Sequence, residues 1–438
     1  MNLRLPRSVA GVGVALGAGV FAVVSALCFV ISWLTSWSLD ANLGSDDLRR
    51  LTAIQMALFH RSGVRFQAEP LPDASLDLVF TGAEMLGTVV VVWLALKAGS
   101  MLVSRSGLSA SPLRQRAWVG SIVGLVYGSL CAVATLLASG FPLPLGSGSV
   151  GVVWGPGIVW PFILGVLGST AGAVVVRAEG SSAGGGGRVR GLDRIAGGWR
   201  MTSWALLGSF VAMLVVAGLD PSYSRVYFAG VRMARSDRGV AAATHNILLI
   251  PNASAWATTA AMGGCISSTG SVRTDLVCVG RLATGADPEA LVTADPDLEE
   301  AAPEGSAPFP LVLLVFALVP PVATIAGGIR AGRGSTGRAE AARSGALAGL
   351  VFCATFTAVA WFSGVAVTGS PDASLLSDLD VAVGPVVWST ALLAGVWGLV
   401  GGTLGSLVGA TARRRAQAGR KRGSAPLGED DPVAGQPG

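Results

Sequence analysis

Eight long apolar runs dominate the chain, and no other feature constrains its folding as much. They are Val9–Leu34, Leu78–Leu96, Ala117–Ser139, Val150–Val176, Trp199–Leu219, Phe309–Gly328, Gly345–Val367 and Gly384–Ala410. Each is longer than the ~18 residues that mark a candidate membrane span. A segment in lipid must also satisfy its own backbone hydrogen bonds, which a single run does only as a helix. The expectation is an all-α bundle of about eight spans. Charge agrees with this: only 13 % of the 438 residues are Asp, Glu, Lys or Arg, against roughly a quarter in soluble domains. Mean hydropathy is +0.62. So few charges exclude an ordinary soluble enzyme, a disordered chain and a disulfide-rich secreted module.

The basic residues set the orientation. With both termini cytoplasmic, the inner segments hold 21 basic and 6 acidic residues, and the outer loops hold 10 and 19. That is the asymmetry expected of a plasma-membrane protein. It also removes the nucleic-acid reading that a pI near 9.3 invites, because the arginines sit in short segments beside spans. The basic tail after Ala412 is expected to lie near anionic headgroups. A ninth apolar stretch, Gly239–Cys265, is the ambiguous one. Arg4 and Arg7 at one end and Arg413–Arg415 at the other require an even number of crossings. A full crossing here would bring the acidic segment Asp275–Glu304 inside. The stretch therefore reads as re-entrant or surface-lying, with a helix break at Pro251-Asn252, since proline removes a backbone donor.

An internal repeat is visible. Gly124-Leu125-Val126-Tyr127 with Ser139-Gly140 parallels Gly349-Leu350-Val351-Phe352 with Ser363-Gly364. Trp154-Gly155-Pro156 with Trp160 parallels Val383-Gly384-Pro385 with Trp388. A 4+4 parallel arrangement follows: residues 1–176 form a first half with an outer loop at 36–77, and residues 199–410 form a second half with an acidic outer loop at 220–308. Residues 177–198 read as a flexible cytoplasmic linker and 411–438 as a disordered tail.

Few residues could carry chemistry. Glu84 is the only acidic residue inside a span, and an intramembrane carboxylate is a candidate site by default. Its possible partners are His245, Asn246 and Asn252; Pro251, Pro320 and Pro321 are possible hinges. His60 and His245 are the only histidines, too few for a metalloenzyme, and no phosphate-cradling loop or defensible nucleophile–base pair occurs. No enzyme activity, metal or cofactor is expected. Gly120, Gly124 and Gly128, and Gly401, Gly405 and Gly409, recur every four residues and so line one helix face, where they allow close packing or a partner contact. Cys28, Cys131 and Cys353 fall within spans as packing residues. Cys265 and Cys278 fall outside, where a disulfide is favoured; two unpaired thiols are the other possibility. Ser45-Asp46-Asp47 can start a helix running to about Ser62, with Leu48, Leu51, Ile54 and Leu58 on one face. Tyr223–Arg235 has the same character.

Three segments carry a family resemblance. "NILLIPNASAWATTAAMGG" (Asn246–Gly264), "PLVLLVFALVPPVATIAGGIRAG" (Pro310–Gly332) and "SGVAVTG…VGPVVW" (Ser363–Trp388) resemble, in matching order, multi-pass families from actinobacteria. Those families are the PerM-type cell-division membrane proteins and the similar streptophobe-type group. The resemblance implies a non-enzymatic envelope role exerted through a membrane-protein partner, and it supplies no catalytic residues. The competing expectation is a transporter or lipid-handling permease with its site at Glu84 and the Pro251-Asn252 break.

Overall fold

A helix that is apolar on every side is buried in a large core or in lipid, and among the described residues of the computed structural model eight helices are long and apolar enough to cross a membrane. It describes residues 7–38, 44–71, 74–138, 141–142, 148–176, 186–219, 239–269, 274–278, 314–371 and 379–423. The elements in chain order are α1 (Arg7–Ser38), α2 (Ser45–Phe59), β1 (Val64–Leu71), β2 (Ala74–Thr81), α3 (Met85–Arg105), α4 (Leu113–Leu137), β3 (Phe141–Pro142), β4 (Gly148–Val152) and α5 (Trp154–Val175). There follow α6 (Gly186–Leu219), α7 (Gly239–Ala261), β5 (Cys265–Thr269), β6 (Thr274–Cys278), α8 (Leu314–Ala317), α9 (Val319–Gly332), α10 (Arg338–Ser363), β7 (Val365–Pro371), β8 (Leu379–Pro385) and α11 (Val387–Gly423). The eight helices long and apolar enough to cross a membrane are α1, α3, α4, α5, α6, the α8–α9 pair, α10 and α11. The chain is a membrane-embedded, multi-pass protein.

Glycine sets how the helices meet. In the first bundle (α1, α3, α4, α5) α5 packs on both α3 and α4; in the second (α6, α9, α10, α11) α11 packs on both α9 and α10. Gly99 lies against the Ser169 carbonyl and Gly172 against that of Leu96; Gly328 lies against the Gly402 carbonyl and Gly405 against that of Ile325. Gly120 and Gly124 meet Ser169 and Gly165, while Gly345 and Gly349 meet Gly402 and Gly398. Gly128 sits under Phe162, Gly401 against Thr324 and Gly409 against Ile329. A methyl group at these positions would collide with the neighbouring helix, so the seams require glycine.

The all-α expectation needs correcting. One antiparallel sheet of eight strands, in the order β3-β4-β1-β2-β7-β8-β5-β6, joins the ends of the spans. The β2–β7 ladder, from Leu76↔Pro371 to Thr81↔Ala366, makes it continuous between bundles. Leu76, Leu78 and Phe80 alternate with Asp77 and Val79, a period-2 pattern that belongs to a strand. Hydropathy windows absorb Leu78–Thr81, Val150–Val152 and Val365–Val367 into neighbouring spans, so those expected spans begin or end too far into the sheet. Beneath it Ile54, Ala57, Val64, Ala138, Val150 and Val152 form a small core.

Three further boundaries differ from expectation. Residues 186–198 belong to α6 and 411–423 to α11; the tail portion is rich in Ala and Arg, which favour helix. The remaining parts, 177–185 and 424–438, lie outside the described residues, as does Tyr223–Arg235. The break at Pro251 is absent: α7 runs through that proline without interruption. A proline inside a helix costs ~3 kcal/mol, and the side-chain bonds around it, described below, hold the helix together. The second proline pair does interrupt a span. Leu318 separates α8 from α9, and Pro320 and Pro321 occupy the first turn of α9.

The two helices that lie beside the sheet end alike. α2 is followed by Arg61 at φ 57° and α7 by Gly263 at φ 93°, both left-handed. Ser62 N–H then donates to the Ala57 carbonyl (2.9 Å), and Gly264 N–H to that of Thr259 (2.9 Å). Val153 N–H donates to the Gly63 carbonyl (2.8 Å), and Val386 N–H to that of Cys265 (2.9 Å).

Candidate functional site

The start of α3 has backbone donors with no intrahelical acceptor, and its N-cap residue, Glu84, gives them no side-chain bond. The acceptor comes from the other half of the chain. Met85 N–H donates to Asn252 Oδ1 of α7 (3.2 Å). The Asn252 amide in turn donates to the Ala83 carbonyl (2.8 Å) and to the Ser363 carbonyl at the end of α10 (3.2 Å). One turn further along α7, Trp256 Nε1 donates to the same Ser363 carbonyl (3.1 Å) and to its hydroxyl (3.0 Å). Asn252 thus ties three helices with one side chain, and it is 4 % exposed.

Glu84 is freed for other bonds. It is 6 % exposed, and a buried carboxylate is tolerated only when paired and hydrogen-bonded. One oxygen lies 2.6 Å from His245 Nδ1 of α7; the other accepts from Gln55 Nε2 of α2. Its backbone N–H donates to the Leu58 carbonyl (3.1 Å). His245 Nε2 lies 3.4 Å from Thr35 Oγ1 of α1. That hydroxyl gives its proton to the Ile31 carbonyl (2.9 Å), so towards His245 it acts as an acceptor. Both ring nitrogens of His245 are thus engaged, Nδ1 by Glu84 and Nε2 by Thr35. The cluster links α1, α2 and α3 of the first half to α7.

A second buried histidine lies nearby. His60 Nδ1 is 2.5 Å from the Met56 carbonyl and Nε2 is 2.7 Å from the Tyr127 hydroxyl. The carbonyl requires Nδ1 to donate, and in the neutral ring Nε2 then accepts from the phenol. Burial pushes its pKa down to about 4, because charging it would forfeit hydration.

The structure brings together three of the residues the sequence points to: Glu84, His245 and Asn252. The Asn246 side chain makes no hydrogen bond among the described residues, and neither Pro251 nor the pair Pro320-Pro321 contributes a bond to the cluster. Cys265 is disulfide-bonded, its register partner across β5–β6 is Cys278, and Cys28, Cys131 and Cys353 are free. Gln55, Thr35, Trp256 and Ser363 escaped sequence reasoning. Only Gln55 carried a signal: it falls beside Ile54 on the half-buried part of an amphipathic helix, where an amide needs a partner. Among the described residues no group of three His, Cys, Asp or Glu could hold a metal ion. The chain matches no known family, no curated protein and no solved structure.

Proposed function

We propose that this protein is a non-catalytic membrane scaffold that holds a continuous β-sheet outside the plasma membrane for envelope partners, with both termini in the cytoplasm. The observation that carries the reading is how its rare polar side chains are used. Glu84, His245 and Asn252 are spent on bonds that fasten α7 to α1, α3 and α10. A conducting site needs polar groups that can exchange partners with a substrate or ion; here each has a protein partner already. The charge asymmetry supports the outward orientation of the sheet, and the motif resemblance supports an envelope or cell-division setting.

We further infer that the two halves arose as tandem copies. The matched glycine seams, the matched left-handed turns and the repeated strand order (β3-β4-β1-β2, then β7-β8-β5-β6) all support this. The pairings of Trp154-Gly155-Pro156 with Val383-Gly384-Pro385 and of Trp160 with Trp388 do not fit that register: the Val153 and Val386 anchors make Ser389 the counterpart of Pro156 and Leu393 that of Trp160. The test is photo-crosslinking from the sheet in native membranes. Probes at Gln67 and Ser149 are expected to capture one recurrent membrane or envelope protein, and probes on the lipid face of α4 are not. Absence of any recurrent capture from the sheet would count against the scaffold reading.

A further inference from the structure

We propose that Arg61 binds the phosphate of an anionic lipid headgroup at the seam between the two bundles, on the sheet side of the membrane. The starting point is the conformation. Arg61 is the one non-glycine residue with positive φ among the described residues, and a long side chain disfavours that region. At the matching turn after α7 the chain uses Gly263. The hydrogen bonds that follow the two turns are the same, so the turn itself has no need of an arginine. The side chain is the part that differs, and it must account for the strained backbone.

The side chain crosses from the first half to the second. Its guanidinium carbon lies 3.8 Å from the centre of the Trp361 ring and 5.7 Å from that of Phe362. Trp160 of α5 closes the group, 5.2 Å from each of those two rings. Stacking holds the cation but supplies no acceptor in the guanidinium plane. Nε and Nη1 are buried and have no hydrogen-bond partner, and no carboxylate pairs with the group among the described residues. Burial pushes its pKa down to about 10, which leaves it charged at neutral pH.

Of the three nitrogens only Nη2 lies outside the buried, unpartnered set, and a held, charged guanidinium that presents this edge is a site for an oxyanion. Its depth identifies the source. Trp361 ends α10, and exposed Trp37, Trp154 and Trp388 mark the same ends of α1, α5 and α11. Such a ring of tryptophans sits at headgroup level, where lipid phosphates are the abundant acceptors. A net anionic headgroup is preferred, since it brings no cation of its own to compete with Arg61. The inference requires the protein to lie in a membrane; it does not depend on the scaffold reading.

The test uses the full chain in nanodiscs of phosphatidylcholine, with or without phosphatidylglycerol, and reads the thermal unfolding midpoint. The wild type is expected to unfold several degrees higher with phosphatidylglycerol. Inorganic phosphate added to phosphatidylcholine discs should leave the midpoint unchanged. Arg61→Gly copies the backbone choice at Gly263 and is expected to fold and to lose the lipid-dependent rise, while Arg61→Lys keeps part of it. A rise undiminished in Arg61→Gly would overturn the proposal, and so would an equal rise with inorganic phosphate. A photoreactive phosphatidylglycerol gives a readout independent of variant folding: wild-type label is expected on peptides carrying Arg61 or Trp361, and its absence from both would contradict the assignment.

Discussion

The seams within each bundle and the junction between bundles are built from opposite materials. Inside a bundle, glycines such as Gly99, Gly172, Gly328 and Gly405 bring backbones into direct contact. Between bundles, the joint includes the β2–β7 ladder, a handful of side chains on α7 and the Arg61–Trp361–Trp160 group. The contrast follows from the solvent. Lipid gives apolar helices no hydrophobic drive to associate, so packing must supply it over a long contact. At the sheet end water is close, and directed hydrogen bonds can set an orientation with few residues. A bundle seam should therefore fail through added volume, and the junction through loss of a single polar group.

Added volume should have the largest effect. Gly99→Leu or Gly328→Leu places a side chain where a carbonyl already sits, and overpacking costs about 1–3 kcal/mol or more where the backbone cannot retreat. Neither variant is expected to give monodisperse protein after detergent extraction, whereas Gly11→Leu, with open space around it, should behave as wild type. Next comes Asn252→Leu, which strands the Met85 N–H and the Ala83 carbonyl in a buried place. Each lost partner costs about 1–3 kcal/mol, so the unfolding midpoint should drop clearly. Trp256→Phe keeps the ring, loses one donor and should cost about 1 kcal/mol.

Acid should find a third weak point, at His60. Its folded pKa of about 4 lies below the ordinary value of 6.5. Below pH 6.5 the unfolded state takes up a proton that the folded state refuses, so stability falls as pH drops towards 4. The loss approaches ~3 kcal/mol at 1.36 kcal/mol per unit. A pH series of unfolding midpoints for wild type and His60→Gln should show a shallower decline in the variant. The smallest effect belongs to Asp77→Asn. It breaks a pair with Arg65 that is largely solvent-exposed, and such pairs contribute under ~1 kcal/mol.

The bundle was far more legible in the sequence than the junction. Spans announce themselves through length and apolarity, and a four-residue glycine spacing names a helix face directly. Glu84, His245 and Asn252 stood out because a polar residue in apolar surroundings must find a partner. Which partner it finds is a tertiary matter, so Thr35, Trp256 and Ser363 gave no local sign of their roles, and Gln55 signalled only that an amide on a half-buried face needs some partner. The sheet stayed hidden because its strands were divided between the ends of apolar runs and the polar loops. Pro251 misled for a related reason: the local rule for proline is correct about cost, but Asn252, Trp256 and His245 on either side offset that cost with bonds that sequence spacing does not reveal.

Glu84→Gln tests the central claim, that the buried polar cluster fastens the molecule together and does not pass a substrate. The purified variant is to be measured twice: for its unfolding midpoint in detergent, and for proton and alkali-cation flux in proteoliposomes beside wild type and empty vesicles. The account expects a lowered midpoint, from loss of the carboxylate that bonds both His245 and Gln55, and no flux above empty vesicles for either protein. Wild-type flux that disappears in Glu84→Gln while the midpoint stays unchanged would contradict it.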